Sequence, residues 1–214
     1  SVASAVGRSE NWVRQCWELS PDTLPAPAGL PPFIHAYELR MLRSGIEPFR
    51  HAQLHRGYIP HPDGLYEQCA ASLPWEQAVM RKRDQVSGQV TKTAIESNRQ
   101  DCTLPGLRIG IPRVDDALER ARRELGIEDP GAYLTCNWYP DGNAHIAAHR
   151  HDFWSAVLSV GASRVFQLDG EHILLGDGDL LVFGTQRHSV PRMPDASEGR
   201  VSVCIFWYPE RRSA

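Results

Sequence analysis

The sequence is short of several features, and each shortage excludes something. No apolar run approaches the roughly 18 residues of a membrane-spanning helix, so no membrane partner is expected. No charged-then-apolar leader opens the chain, although it starts at Ser1 without a methionine, which leaves an export signal open. Neither sign of charge dominates: 23 Lys and Arg face 26 Asp and Glu, for a net charge of −3. That excludes a strongly basic nucleic-acid binder but leaves room for a local basic patch. No C-x-x-C pair exists, and the five cysteines are odd in number and scattered. Neither a zinc ribbon nor a disulfide framework is indicated. Reduced thiols in an intracellular compartment are the simpler expectation.

What is present suits an ordinary buried core. The 214 residues are 42% hydrophobic, enough for one compact domain with an extension. Residues 1–55 read as a partly helical N-terminal extension and 56–210 as the main domain. Five prolines between 20 and 32 make a stiff connector, and 34–44 is predicted helical. Leu65, Cys69 and Leu73 sit four apart, which places them on one helical face, with Asp63 as the expected cap and Pro74 as the stop. Residues 75–82 and 89–95 read as strands. In 115–125 the stripe Val114, Leu118, Ala121 and Leu125 predicts a helix ended by Gly126.

From residue 132 the pattern turns to short alternating runs. Ala132, Leu134, Cys136 and Trp138 share one strand face, and Tyr133, Thr135, Asn137 and Tyr139 the other. Further strands are predicted at 155–160, 164–168, 172–175 and 179–183, with Asp169-Gly170 as a tight hairpin. Residues 200–208 alternate again. Helices first and many short strands after predict an α+β class with an antiparallel β core.

Nine histidines are a modest excess, with a cluster running from His145 to His188. His149 and His151 are two apart, so on a strand both rings face one way. His188 lies 37 residues beyond His151, at the end of another predicted strand. Three such imidazoles can occupy one face of a metal ion and leave the opposite face open.

The segment Asn137-Trp138-Tyr139-Pro140-Asp141-Gly142, followed by His149-Arg150-His151-Asp152, resembles the AlkB-like Fe(II)/2-oxoglutarate dioxygenases, whose pattern reads N-x-Y-x-x-G and then H-x-D. Ser159-Val160-Gly161-Ala162-Ser163-Arg164-Val165-Phe166 is similar to that family's S-x-G-A-x-R-x-F turn. Gly178-Asp179 and His188-Ser189-Val190-Pro191 are similar to its distal-histidine region. The resemblance covers about 132–208, and Leu73-Pro74-Trp75-Glu76-Gln77 extends it weakly toward the N-terminus. It implies a double-stranded β-helix, or jelly roll, with helices packed outside. It also implies that His149 and His188 bind Fe(II), and that Asn137, Tyr139 and Arg200 hold 2-oxoglutarate. The implied outcome is oxidative demethylation of alkylated bases in DNA or RNA. The chain offers only Arg81-Lys82-Arg83 and Lys92 as a basic patch.

Four positions depart from the family. His151 stands where the metal-binding aspartate belongs, so an ion held by three neutral rings keeps its full charge. Asp152 takes the aspartate's place only if the backbone bulges, and both ligand sets remain open. Phe206 replaces a second arginine, and Ser202 replaces an asparagine, although Ser202 stays a candidate co-substrate contact. Phe153 replaces an acidic residue near the base. His149-Arg150-His151 also resembles a cupin metal motif, which would keep the jelly roll. Two alternatives follow: a non-catalytic or weakly active metal-binding jelly roll, and a hydroxylase of protein or small molecules. No catalytic residue beyond the metal ligands is indicated.

Overall fold

The computed structural model describes residues 52–83, 90–151 and 153–208, with side chains described except at 80–83 and 90. Asp152, the proline-rich connector and the helix expected at 34–44 lie outside the described residues, as does the expected extension up to residue 51. The chain divides into two compact units. Residues 49–80 and 93–209 form one, and the fold and site described below belong to it. Of the other, only 81–83 and 90–92 are described, as parts of the strands Val79–Arg83 and Val90–Ala94.

In chain order the elements are β1 (Gln53–His55), α1 (Leu65–Ser72), β2 (Glu76–Gln77), β3 (Val79–Arg83), β4 (Val90–Ala94), β5 (Gln100–Pro105) and α2 (Pro112–Glu124). The β-rich half follows: β6 (Tyr133–Tyr139), β7 (Ile146–His149), β8 (Trp154–Gly161), β9 (Arg164–Leu168), β10 (Glu171–Leu175), β11 (Leu180–Phe183), β12 (His188–Val190) and β13 (Arg200–Trp207). A seven-stranded sheet runs β1-β11-β8-β13-β6-β5-β2, and a four-stranded sheet runs β10-β9-β12-β7. Pairing within both is antiparallel. β3 pairs with β4 apart from them. The fold is the α+β jelly roll the sequence predicts.

Two apolar clusters hold it together. One packs α1 and α2 against the outer face of the large sheet, through Leu65, Cys69, Val114, Leu118, Leu134, Val203 and Ile205. The other includes Tyr139, Val157, Phe166, Leu181, Phe183 and Cys204, from both sheets. β13 has a neighbour on each side, β8 and β6. Its outer residues Val201, Val203, Ile205 and Trp207 belong to the first cluster. Its alternate residues Arg200, Ser202, Cys204 and Phe206 face the other way.

Local chemistry explains the boundaries. Pro112 opens α2 at a position where its missing N–H costs nothing. Gly126 (φ 60°) closes it: its N–H reaches the Arg123 carbonyl, and the Ile127 N–H reaches that of Arg122. The expected cap at Asp63 is not made, because α1 starts from Gly64 in the left-handed region with no side-chain cap. The strand expected over 75–82 is split into β2 and β3 at the buried Ala78, whose N–H goes to the Arg99 carbonyl. Asp169 (φ 47°) and Gly170 (φ 92°) form the two-residue turn that sets Leu168 opposite Glu171. A Cβ on Gly142 would lie 1.7 Å from the Met193 carbonyl oxygen, so only glycine admits the two-way clasp between Gly142 and Met193–Ala196.

Candidate functional site

The four-stranded sheet builds the histidine cluster. His149 ends β7 and His188 starts β12, and the two are partners in the antiparallel register. Their ring centroids are 4.2 Å apart. His151 lies two residues past the end of β7, so strand period is not what turns its ring inward. Its ring stacks on Phe153 at 4.1 Å and lies 4.6 Å from that of His188. One nitrogen from each of the three histidines lies within 4.8 Å of the others.

Hydrogen bonds decide which nitrogen carries the proton. Nδ1 of His149 lies 2.9 Å from the Ala147 carbonyl, Nδ1 of His151 3.0 Å from that of Phe153, and Nδ1 of His188 3.0 Å from that of Gln186. A carbonyl accepts only, so each Nδ1 carries the proton and each Nε2 keeps its lone pair. This is the outer support that metal-binding imidazoles ordinarily have. Burial, with His149 and His151 adding to it, pushes His188 down to about 2, so its ring is neutral at working pH. The donor set fits a divalent first-row metal ion. His151 has a competing partner, since Ser155 Oγ lies 3.3 Å from its Nε2.

The co-substrate candidates lie on the inner face of the large sheet. The register of β13 on β6 places Arg200 opposite Tyr139 and Ser202 opposite Asn137. β8 adds Ser159 opposite Ser202. The Arg200 guanidinium carbon lies 5.4 Å from the Tyr139 ring centre. Arg200 Nε donates to Ser159 Oγ at 2.8 Å, while Nη2 is buried with no hydrogen-bond partner among the described residues. Arg200 is 1% exposed and Tyr139 equally so. Burial opposes the charge of Arg200 and raises the Tyr139 phenol. The structure thus brings Asn137, Tyr139, Arg200 and Ser202 into one polar patch.

The same interior holds two arginines that sequence reasoning did not assign to the site. Arg164, fully buried on β9, leaves Nε and Nη1 without partners among the described residues. Its quoted motif placed it on a turn strand but said nothing of its aim. Arg99, just before β5, donates to Asn137 Oδ1. It lies outside the stretch that carries the resemblance, so no spacing rule pointed to it.

Aromatic rings surround the His151 side. Phe206 lies 5.4 Å from His151 and 4.7 Å from Phe153, and Tyr133 lies 5.5 Å from Phe206. Phe206 therefore stands beside His151 and Phe153, where the resemblance would place an arginine. Asp179, read as part of the distal motif, has a loop-tying role instead: it accepts from Gly57 and Gly176 N–H and from Arg56.

No family model and no curated protein matches the sequence. Solved structures similar to it include a prolyl-4-hydroxylase from Pseudomonas putida, 20% identical, covering 74% of this chain and 92% of that one, with a TM-score of 0.46. They include the ribosomal oxygenase YcfD from Escherichia coli, 15% identical, covering 76% of this chain and 49% of that one, with a TM-score of 0.48. A cupin-2 domain from Rhodospirillum rubrum, Rru_A2000, is 14% identical over 64% of this chain and 72% of its own, with a TM-score of 0.37. Among the described residues no helix is long and apolar enough to cross a membrane.

Proposed function

We propose that this protein is an Fe(II)- and 2-oxoglutarate-dependent oxygenase of the AlkB-like type. The observation that carries the reading is the buried Arg200, whose Nη2 lacks a partner among the described residues, in a chain that also clusters three imidazoles with their Nδ1 atoms held by carbonyls. A buried, unpaired cation is costly, and a carboxylate on Arg200 would remove that cost with a charge-assisted bond. His149, His151 and His188 would hold the metal. Bound iron would supply the activation of dioxygen, so that one oxygen atom enters a substrate C–H bond and the other enters succinate as 2-oxoglutarate loses carbon dioxide. Arg200, Tyr139, Asn137 and Ser202 orient the co-substrate, and the carbonyls of Ala147, Phe153 and Gln186 hold each Nδ1 proton so that the rings stay neutral donors.

The proposed substrate is an N-alkylated nucleobase in DNA or RNA, oxidised at the alkyl carbon. The resemblance supports it, and Phe153, Phe206 and Tyr133 offer flat faces for a flat group. Phe153 accepts no hydrogen bond from a base amine, which makes protein or small-molecule hydroxylation the competing substrate class. The deciding experiment supplies Fe(II) and 2-oxoglutarate to the full chain and measures succinate with methylated oligonucleotides, peptides and small aromatic compounds. Release stimulated by the oligonucleotides supports the full reading. Release stimulated by another class replaces the substrate, and no release with any of them removes the oxygenase.

A second reading, metal binding without oxidation, is favoured by His151. A neutral ring in place of a carboxylate leaves more positive charge at the metal and gives the oxidised ion no anionic support. Metal retention without succinate release would establish it.

A further inference from the structure

We infer that Arg99 is a second carboxylate-binding group, and that it holds the end of the dicarboxylic co-substrate nearer the histidines while Arg200 holds the far end. The inference rests on the co-substrate reading above and adds to it a residue that neither the resemblance nor the spacing assigns.

The placement comes from the strand register. Along β6 and β13 the opposed pairs run Arg200 with Tyr139, Ser202 with Asn137, Cys204 with Thr135, and Phe206 with Tyr133. Successive pairs are two residues apart, or roughly 6–7 Å along the strand. The histidines meet the last of these pairs, since His151 lies 5.4 Å from Phe206. Arg99 donates to Asn137, so it stands one pair closer to the histidines than Arg200 does.

The chemistry of Arg99 fits an anion. Its side chain is 12% exposed. Nη1 meets Asn137 Oδ1, and Asp101 Oδ2 at 3.4 Å, but Nε is buried with no partner among the described residues. The guanidinium thus keeps an unused edge, and a planar fork of that kind suits a carboxylate. Phe206 cannot serve that end of the ligand, because it carries no donor. Asp101 sets the limit on affinity, since a bound carboxylate must share Arg99 with it.

Two cut-down ligands separate the two arginines. In 2-oxobutanoate the 2-oxo acid end of 2-oxoglutarate is kept and the far carboxylate is lost. In 4-oxopentanoate the far carboxylate is kept and the near one is lost. Binding of all three to the full chain loaded with Zn(II) is read by calorimetry and ligand-observed NMR, on wild type, Arg99→Gln and Arg200→Gln, with melting curves to confirm folding. Arg99→Gln should weaken 2-oxoglutarate and 2-oxobutanoate about 10-fold or more, the loss of one charge-assisted bond, and leave 4-oxopentanoate unchanged. Arg200→Gln should show the reverse preference. Arg99→Lys should recover part of the loss. Unchanged binding in Arg99→Gln, or a loss confined to 4-oxopentanoate, overturns the role of Arg99 while leaving the co-substrate reading intact. A wild type that binds none of the three overturns both.

Discussion

The two faces of the seven-stranded sheet are built from the same strands and serve opposite ends. On β13 the outward residues Val201, Val203, Ile205 and Trp207 meet the helix-side core, and all are apolar. The inward residues include Arg200 and Ser202, both buried and both polar. β6 repeats the division, with Leu134 and Cys136 outward and Asn137 and Tyr139 inward. Burial on the outer face returns free energy directly. Burial on the inner face spends some of it, because Arg200 leaves a donor atom unmatched among the described residues. Both faces carry apolar packing, but only the inner one also buries charge.

Substitutions that exchange these roles test the contrast. Ile205→Ala, on the outer face, should lower stability by about 2–5 kcal/mol, as large-to-small changes at fully buried sites do. Denaturant melts read the loss, and metal affinity of the folded fraction should not change. His188→Ala and His149→Ala should leave the melt of the metal-free protein nearly intact. Each should weaken metal binding by more than the roughly 10–100-fold that loss of an outer partner brings. Unchanged calorimetric affinity in both variants would remove the metal centre.

Arg200→Met sharpens the comparison most. Replacing a buried cation that has no carboxylate partner among the described residues by an apolar chain of similar length should leave the ligand-free protein as stable or up to about 1–4 kcal/mol more stable. Affinity for 2-oxoglutarate should fall at least about 10-fold. A large loss of stability instead would mean that Arg200 supports the fold and not a ligand. His151→Asp returns an anion to the metal and should raise 2-oxoglutarate decarboxylation, measured as labelled carbon dioxide. Its companion is Asp152→Ala, which should leave metal affinity almost intact if His151 is the ligand. Metal loss in Asp152→Ala but not in His151→Ala would assign the carboxylate.

The smallest expected effect is a pH dependence at Asp179. Burial works against its charge, but the Gly176 and Gly57 N–H groups and Arg56 outweigh it and hold the carboxyl below its ordinary value. Its contribution is therefore complete above the unfolded value, about 3.9, and is lost as pH falls through the lower folded value. Asp179→Asn should be less stable at neutral pH and show a shallower loss of stability in acid, because the titrating group is gone.

Much of this was legible in the sequence for a physical reason. Period-two alternation in 132–139 and 200–208 identifies the central strands, and the same alternation sorts Asn137 and Tyr139 from Leu134 and Cys136. His149 and His188 were found by residue type and strand position, and the register makes them partners. His151 joins the cluster by a different route from the one strand period suggests, since β7 ends before it and its Nδ1 lies 3.0 Å from the Phe153 carbonyl. Arg99 was invisible because it precedes its strand, and only the pairing of β5 with β6 brings it to Asn137. Pairing between strands distant in sequence has no local signature. Asp63 is of a type that favours capping, but Gly64 supplies a left-handed backbone that starts the helix without it.

The position of β7 gives the His149–His188 pair a mechanical consequence. β7 is four residues long, lies at one end of its sheet and, among the described residues, pairs there only with β12. Edge strands of that kind are the ones prone to slip or to pair with another chain. An ion gripping His149 and His188 at once would act as a rivet through the last two strands, and a one-residue slip would pull the rivet out. Chelation should then do more than empty the histidine cluster. It should unfasten a seam, raising amide exchange in β7 and β12 before the outer face of the large sheet begins to open.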